Sequence, residues 1–244
     1  MITVPNSEPG KNRALLAWKL ARLSLRAPSV IKAVRGRNLS YLEGSALFDL
    51  HKVVRALDHD GVPGRIVEAG TALGGSAIVM GSAKARGRQL DLHDVFGTIP
   101  PPSVEDDPDV HARYAEIIDG KATGIGGEKY YGYENDLLKK VKESFRDFGL
   151  DPVACNIHFH QGLFEDTIRS DGPVALAHID GDWYESVRVC LDRLAPSLSV
   201  GGVMVIDDYG SWSGCTKAVD EFLAAPPVPV ECSWARRLHI RRVG

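Results

Sequence analysis

Four aspartates stand in two short groups, Ala177-His178-Ile179-Asp180-Gly181-Asp182 and Val203-Met204-Val205-Ile206-Asp207-Asp208-Tyr209. Each group ends an apolar run that reads as a strand, and one helical stretch separates them, so the carboxylates fall at the carboxyl ends of adjacent parallel strands. Three or four negative charges then converge, and the usual remedy for their repulsion is a divalent cation. An all-oxygen set favours Mg²⁺ over zinc or copper. Helix capping after a strand accounts for any one of these aspartates, but poorly for all four together. A divalent ion there can bind both oxygens of a vicinal diol, lower the pKa of one hydroxyl and orient it. Asp182 sits beside the cluster without having to be a ligand, which makes it the candidate proton acceptor, and no lysine stands near enough to take that part.

A second constellation is Val67-Glu68-Ala69-Gly70-Thr71-Ala72-Leu73-Gly74-Gly75-Ser76, a strand, a tight glycine turn and a helix start whose unpaired amides attract an anionic group. The dinucleotide fingerprint G-x-G-x-x-G is missing, so a pyrophosphate fits poorly. Glu68 repels phosphate but welcomes a cation, while the helix start welcomes a carboxylate. The methionine end of S-adenosylmethionine supplies both. Asp94, at the end of the second predicted strand, is placed to accept hydrogen bonds from ribose hydroxyls. A plain strand-to-helix connection is the competing explanation of this turn.

The elements that must position these residues alternate. Strands are expected over 65–70, 89–93, 156–160, 174–179 and 203–206, with helices over 45–59, 75–86, 134–148, 183–194 and 215–223 and a last strand pair over 231–233 and 238–241. That alternation predicts an α/β fold with a mostly parallel, doubly wound sheet. One domain is expected over 45–244, preceded by a helical extension over 1–44. Residues 97–133, with Pro100-Pro101-Pro102, the acidic run Glu105-Asp106-Asp107 and several glycines, break the alternation and read as a long loop, a lid over the carboxyl edge of the sheet.

Composition bounds the alternatives. The 244 residues are 44% hydrophobic and 25% charged, which excludes disorder, collagen and coiled coil. A net charge of −3 leaves no global field for a polyanion, so nucleic acid is not an expected partner. Cys155, Cys190, Cys215 and Cys232 form no C-x-x-C pair, which suits free thiols in a cytoplasmic protein. Residues 11–37 hold eight basic and no acidic residues, interleaved with leucines and Trp18. Lys19 and Arg22 interrupt the apolar stretch and no cleavage site follows, against a signal peptide. The stretch is too short and charged to span a bilayer, yet such a helix can lie on an anionic membrane surface or pack against a subunit.

The chain resembles the macrocin O-methyltransferase family, metal-dependent sugar methyltransferases of macrolide and aminocoumarin biosynthesis that are themselves similar to catechol O-methyltransferases. The resemblance rests on Asp60-Gly61-Val62-Pro63-Gly64 with Val67-Glu68-Ala69-Gly70, Gly74-Gly75-Ser76, Asp94-Val95-Phe96-Gly97-Thr98-Ile99-Pro100, Gly162-Leu163-Phe164-Glu165-Asp166-Thr167, His178-Ile179-Asp180-Gly181-Asp182-Trp183-Tyr184-Glu185-Ser186, and Val200-Gly201-Gly202 through Asp207-Asp208-Tyr209, in family order. It implies a Rossmann-like class I methyltransferase fold, with S-adenosylmethionine held by the residues matching Glu68, Gly70, Ser76 and Asp94. Gly162, Leu163 and Phe164 match the adenine-side loop, although an ordinary turn would look the same. The resemblance further implies Asp180, Asp207 and Asp208 as Mg²⁺ ligands, Asp180 also standing against the cofactor, and Asp182 as general base. Leu73 replaces an arginine frequent in the family, and residues 101–133 match poorly, which leaves the acceptor open.

The implied acceptor is a sugar hydroxyl of a glycoside or oligosaccharide, a methylmannose-type polysaccharide precursor among them. Tyr114, Tyr130, Tyr131, Tyr133 and Trp183 could stack on sugar faces or simply pack the lid. His158, His160 and His178 read as structural. Tyr41 and Leu42 are expected to approach the methionine end of the cofactor, and a homodimer is expected. Two other classes compete. A metal-dependent glycosyltransferase would use Asp180-Gly181-Asp182 as a D-x-D site but leave Asp207, Asp208 and Glu68 without roles. A membrane-docked binding protein would work through its basic N-terminus.

Overall fold

The computed structural model describes residues 28–244, so residues 11–27 of the basic helical stretch expected over 11–37 lie outside the described residues. Among the described residues two helices precede the sheet, α1 (Ser29–Gly36) and α2 (Gly44–His59). The first half of the sheet is β1 (Arg65–Ala69), α3 (Gly75–Ala83), β2 (Leu90–Asp94), α4 (Pro108–Ile118), α5 (Leu137–Asp147) and β3 (Ile157–Gln161). The one-turn helix α6 (Phe164–Thr167) leads to β4 (Val174–Ile179), α7 (Tyr184–Leu194), β5 (Leu198–Ile206) and α8 (Ser213–Ala224). The hairpin β6 (Val230–Trp234) and β7 (Leu238–Arg242) closes the chain.

These strands form one seven-stranded sheet in the order β3-β2-β1-β4-β5-β7-β6. The first five are parallel, and β7 runs antiparallel to β5 and to β6. Alternation along the strands sends side chains to two separate cores. Ile66, Leu92, Leu176 and Val205 meet α2, α3 and α5 through Leu47, Leu50, Ile78, Met80 and Phe145. Val67, Ala177, Ile179, Met204 and Ile206 meet α7 and α8 through Val187, Leu191, Val219 and Phe222. Helices on both faces of a mostly parallel sheet are the α/β doubly wound arrangement that the alternation predicted. The strand order reverses between β1 and β4, and ligands of such folds bind at the carboxyl ends beside that reversal.

The 97–133 segment is a correction: it is not a structureless loop. It contains α4 and single 3-10 turns at Ile125–Gly127 and Tyr131–Tyr133. Helix α4 begins with Pro108 at its first position after Asp107, a start favoured because proline's missing N–H is unpaired there anyway. Ile117, Ala122 and Tyr130 build a small core of their own, and the Tyr133 hydroxyl donates to the Ile117 carbonyl at 2.6 Å. The helix α6 was likewise unexpected, and β5 starts five residues before its predicted beginning, behind Gly201 and Gly202. Among the described residues no helix is long and apolar enough to cross a membrane. The four cysteines are unpaired.

Candidate active site

The backbone brings the three strand ends into line. The Asp180 amide donates to the Ala69 carbonyl of β1 at 2.8 Å, and the Asp207 amide to the Ile179 carbonyl of β4 at 2.9 Å. Carboxylate oxygens of Asp180, Asp207 and Asp208 consequently lie within 4.8 Å of one another. Asp182 joins them on the wall of a cavity of about 250 Å³. Burial raises the Asp180 and Asp182 pKa values well above the usual carboxylate range, and the charges of Asp207 and Asp208 add to the effect. Asp208 is pushed up to about 6 by burial and by Asp207. Asp208 Oδ2 is buried without a partner. An all-oxygen set that repels itself and leaves a buried acceptor unmet fits a hard divalent cation.

Asp207 behaves differently. Burial pushes its pKa up, but His178 and Arg237 outweigh burial and hold it below the usual value. Arg237 Nε donates to Asp207 Oδ1 at 2.8 Å, and its two Nη atoms grip both Glu43 oxygens at 3.1 Å. His178 is fully buried, with Nδ1 3.1 Å from Glu68 Oε1 and Nε2 3.7 Å from Asp207 Oδ1. Burial disfavours its imidazolium, yet Asp207 and Glu68 prevail and lift it to about 9. Two cationic groups thus converge on Asp207 Oδ1.

The glycine turn forms the other side. Gly70 has φ 93°, and a Cβ there would overlap the Asp180 carbonyl oxygen. Asp94 Oδ2 accepts from the Thr71 and Ala72 amides at 2.8 Å each, and Oδ1 from the Phe96 amide at 2.6 Å. Asp94 therefore shapes the turn as well as lining the cavity. A second, smaller cavity continues from Gly70 and Asp94 past Val95, Leu163 and Phe164 to Asp180 and Ser186. Gly70→Ala is expected to abolish detectable binding of S-adenosylhomocysteine in calorimetry and to lower Tm, since neither the left-handed backbone nor the Asp180 carbonyl accommodates a side chain.

Three expected cofactor residues lie outside these cavity walls. Glu68 is fully exposure-free beneath the turn, engaged with His178, and its Oε2 has no partner. Ser76 is buried in the first turn of α3. Gly162, at φ 147°, anchors its loop by donating its amide to the Asp94 carbonyl at 3.0 Å. One helix-start amide is also taken, because Gly75 N–H donates to Leu39 O at 2.9 Å. Tyr41 and Leu42 line the larger cavity, as do Tyr130, Tyr131 and Trp183. Tyr133 packs within the 97–133 segment instead. His160 stacks on His93 at 4.5 Å and reaches Asp91 at 3.3 Å, away from the cavity.

Sequence reasoning missed Arg113 of α4 and Trp212, both on the larger cavity's wall. Among the described lining residues Arg113 alone carries a positive charge, and it stands 5.8 Å from the Tyr130 ring centroid. The Asp107-Pro108 helix start was the available signal for the element that carries it. It also missed the engagement of Arg237 with Asp207, which had no local signal.

Residues 40–233 match the macrocin O-methyltransferase (TylF) family. The chain is 33% identical over 182 residues to 8-demethyl-8-(2,3-dimethoxy-alpha-L-rhamnosyl)-tetracenomycin-C 4'-O-methyltransferase of Streptomyces olivaceus, covering 72% of this chain and 64% of that protein. It is 31% identical over 191 residues to demethyldecarbamoylnovobiocin O-methyltransferase of Streptomyces niveus, covering 73% and 65%. Both matches span just under two thirds of the relative's length. The solved structure of the O-methyltransferase NovP superposes with a TM-score of 0.69 at 26% identity, covering 84% of this chain and 83% of that one. A methyltransferase of Podospora anserina solved with S-adenosylhomocysteine shares the fold at a TM-score of 0.60 and 16% identity. With its sheet order, its glycine turn and its family match over most of the sequence, the chain belongs to the macrocin O-methyltransferase (TylF) family.

Proposed function

We propose that this protein transfers the methyl group of S-adenosylmethionine to a sugar hydroxyl of a glycoside or oligosaccharide, with Mg²⁺ held by Asp180, Asp207 and Asp208. One observation carries the proposal: four half-buried carboxylates converge at the strand reversal, directly beside the glycine turn of Gly70 and Asp94. The named activities of the relatives, O-methylation of a rhamnosyl tetracenomycin and of a novobiocin precursor, support a glycoside acceptor. When bound, S-adenosylmethionine supplies an electrophilic methyl, and a divalent cation lowers the pKa of an acceptor hydroxyl.

This chain's residues do the rest. Asp182 takes the hydroxyl proton as the oxygen–methyl bond forms and the sulfur–methyl bond breaks. Its raised pKa, set by burial and by the Asp208 charge, makes its ionised form a stronger base than an ordinary carboxylate. Tyr130, Tyr131 and Trp183 line the larger cavity, where their aromatic bulk would shield the acceptor hydroxyl from water. Asp94, Leu163 and Phe164 line the pocket proposed for the nucleoside half of the cofactor.

The metal-dependent glycosyltransferase is the competing chemistry, and the same calorimetric experiment separates the two. Titration with S-adenosylmethionine is expected to release heat with one-site stoichiometry, whereas a nucleotide diphosphosugar is not. No heat from the methyl donor would sink the proposal. A screen of glycosides bearing vicinal diols, read by S-adenosylhomocysteine release with Mg²⁺ and with chelator, identifies the acceptor.

A further inference from the structure

The 97–133 segment carries an acidic run that the proposed chemistry does not use. Glu105 Oε2 pairs with Lys217 Nζ of α8 at 2.7 Å, and Asp109 accepts from Ser213 Oγ at 2.5 Å at the first residue of α8. Both contacts are exposed. Asp106 is of another kind, being 6% exposed with each of its oxygens committed. Its Oδ2 accepts from Ser103 N at 2.9 Å and from Ser103 Oγ at 3.1 Å, while Oδ1 accepts from the Tyr184 amide at 2.8 Å.

Tyr184 opens α7 two residues after Asp182. Asp182 has φ 56°, a left-handed backbone that a non-glycine residue keeps only where its surroundings enforce it. Three hydrogen bonds enforce it here. The Trp183 amide donates to the Gly181 carbonyl at 2.6 Å, Trp183 Nε1 donates to the Pro100 carbonyl at 3.1 Å, and the Tyr184 amide donates to Asp106. Two of the three acceptors come from the 97–133 segment. The Asp106 contact is also tightly packed. A Cβ on Gly214, in the first turn of α8, would overlap Asp106 Oδ1 and come within 2.7 Å of the Tyr184 nitrogen. A carboxylate facing a helix N-terminus is in addition favoured by the helix dipole.

We propose that Asp106 is a positioning residue for proton transfer: by holding the Tyr184 amide it keeps the 181–184 turn in the conformation that turns Asp182 into the cleft. The docking of the 97–133 segment thereby becomes a condition for base alignment. This rests on the reading of Asp182 as the base.

Hydrogen exchange resolved by segment tests it without an acceptor. Asp106→Ala is expected to raise exchange in 98–107 and in 181–186 together, whereas Asp106→Asn, which keeps an oxygen toward Tyr184, leaves 181–186 near the wild type. Gly214→Ala, with every carboxylate in place, reproduces Asp106→Ala and serves where that variant fails to fold. S-adenosylhomocysteine affinity falls far less than kcat, because Asp106 itself lines neither cavity and Gly181, Asp182 and Ser186 border only part of the smaller one. With a glycoside that the wild type methylates, kcat falls on the order of 10²-fold in Asp106→Ala and Gly214→Ala, the loss expected of a misplaced reacting group. Unchanged exchange over 181–186 in both variants overturns the inference. Undiminished kcat in Asp182→Asn would instead overturn the base assignment, and the exchange result would stand.

Discussion

Asp182→Asn lowers methyl transfer by about 10²–10⁴-fold, the range that positioned general bases contribute, while S-adenosylhomocysteine and Mn²⁺ bind as in the wild type. The substitution keeps the shape of the side chain and removes its basicity. It is also mild for the fold. Asparagine adopts the left-handed region at least as readily as aspartate, so φ 56° at this position is retained. Burial and the Asp208 charge disfavour the ionised Asp182, so a neutral amide relieves repulsion within the cluster. Thermal unfolding therefore shows no loss of stability, and the kinetic loss is chemical in origin. Turnover retained near the wild-type level, measured as S-adenosylhomocysteine release at saturating cofactor, would show that the hydroxyl proton leaves by another route.

The acidic cluster was legible in the sequence because its signal is local. An apolar strand run ending in paired aspartates places them at a sheet edge, whatever the rest of the chain does. Glu68 was legible as an acidic residue near the turn but not in its partner. It faces the same side of β1 as Ile66, under the helices, and stands in register with His178 on β4, so burial beside that histidine follows from strand pairing. The register also explains Arg237. Leu238 pairs with Ile206 in the antiparallel β5–β7 ladder, which sets Arg237, just before β7, and Asp207, just after β5, face to face. Those residues lie thirty positions apart in sequence, and only the ladder joins them. Helix α4 was hidden by composition. Prolines and glycines on either side of 108–118 suggested loop, while the apolar spacing of Val110 and Ile117 was too sparse to outweigh them.

The two paired aspartates divide the work of the cluster, and their replacements are expected to move stability in opposite directions. On the proposed Mg²⁺ site, saturating Mg²⁺ is expected to raise the Tm of the wild type through its preference for the folded state, and Asp207→Ala and Asp208→Asn are each expected to abolish that gain and any Mg²⁺-supported turnover. In chelator the two part. Asp207 is the partner of Arg237 and the neighbour of a fully buried His178, so its loss leaves a buried cation facing Glu68 alone. Removing one member of a buried ion pair costs on the order of 3–5 kcal/mol, which corresponds to a fall in Tm of roughly 10 °C for a chain of this size. Asp208 has no such partner. Burial and the Asp207 charge push it up to about 6, so at neutral pH its ionised form is held against its preference, and an asparagine removes that penalty. Asp208→Asn is thus as stable as the wild type or more so in chelator, yet deaf to Mg²⁺. Thermal scans of the three proteins with chelator and with saturating Mg²⁺ check both halves. A Mg²⁺-dependent rise in Tm that persists undiminished in both variants would place the cation elsewhere, because the all-oxygen set between β4 and β5 loses a proposed ligand in each.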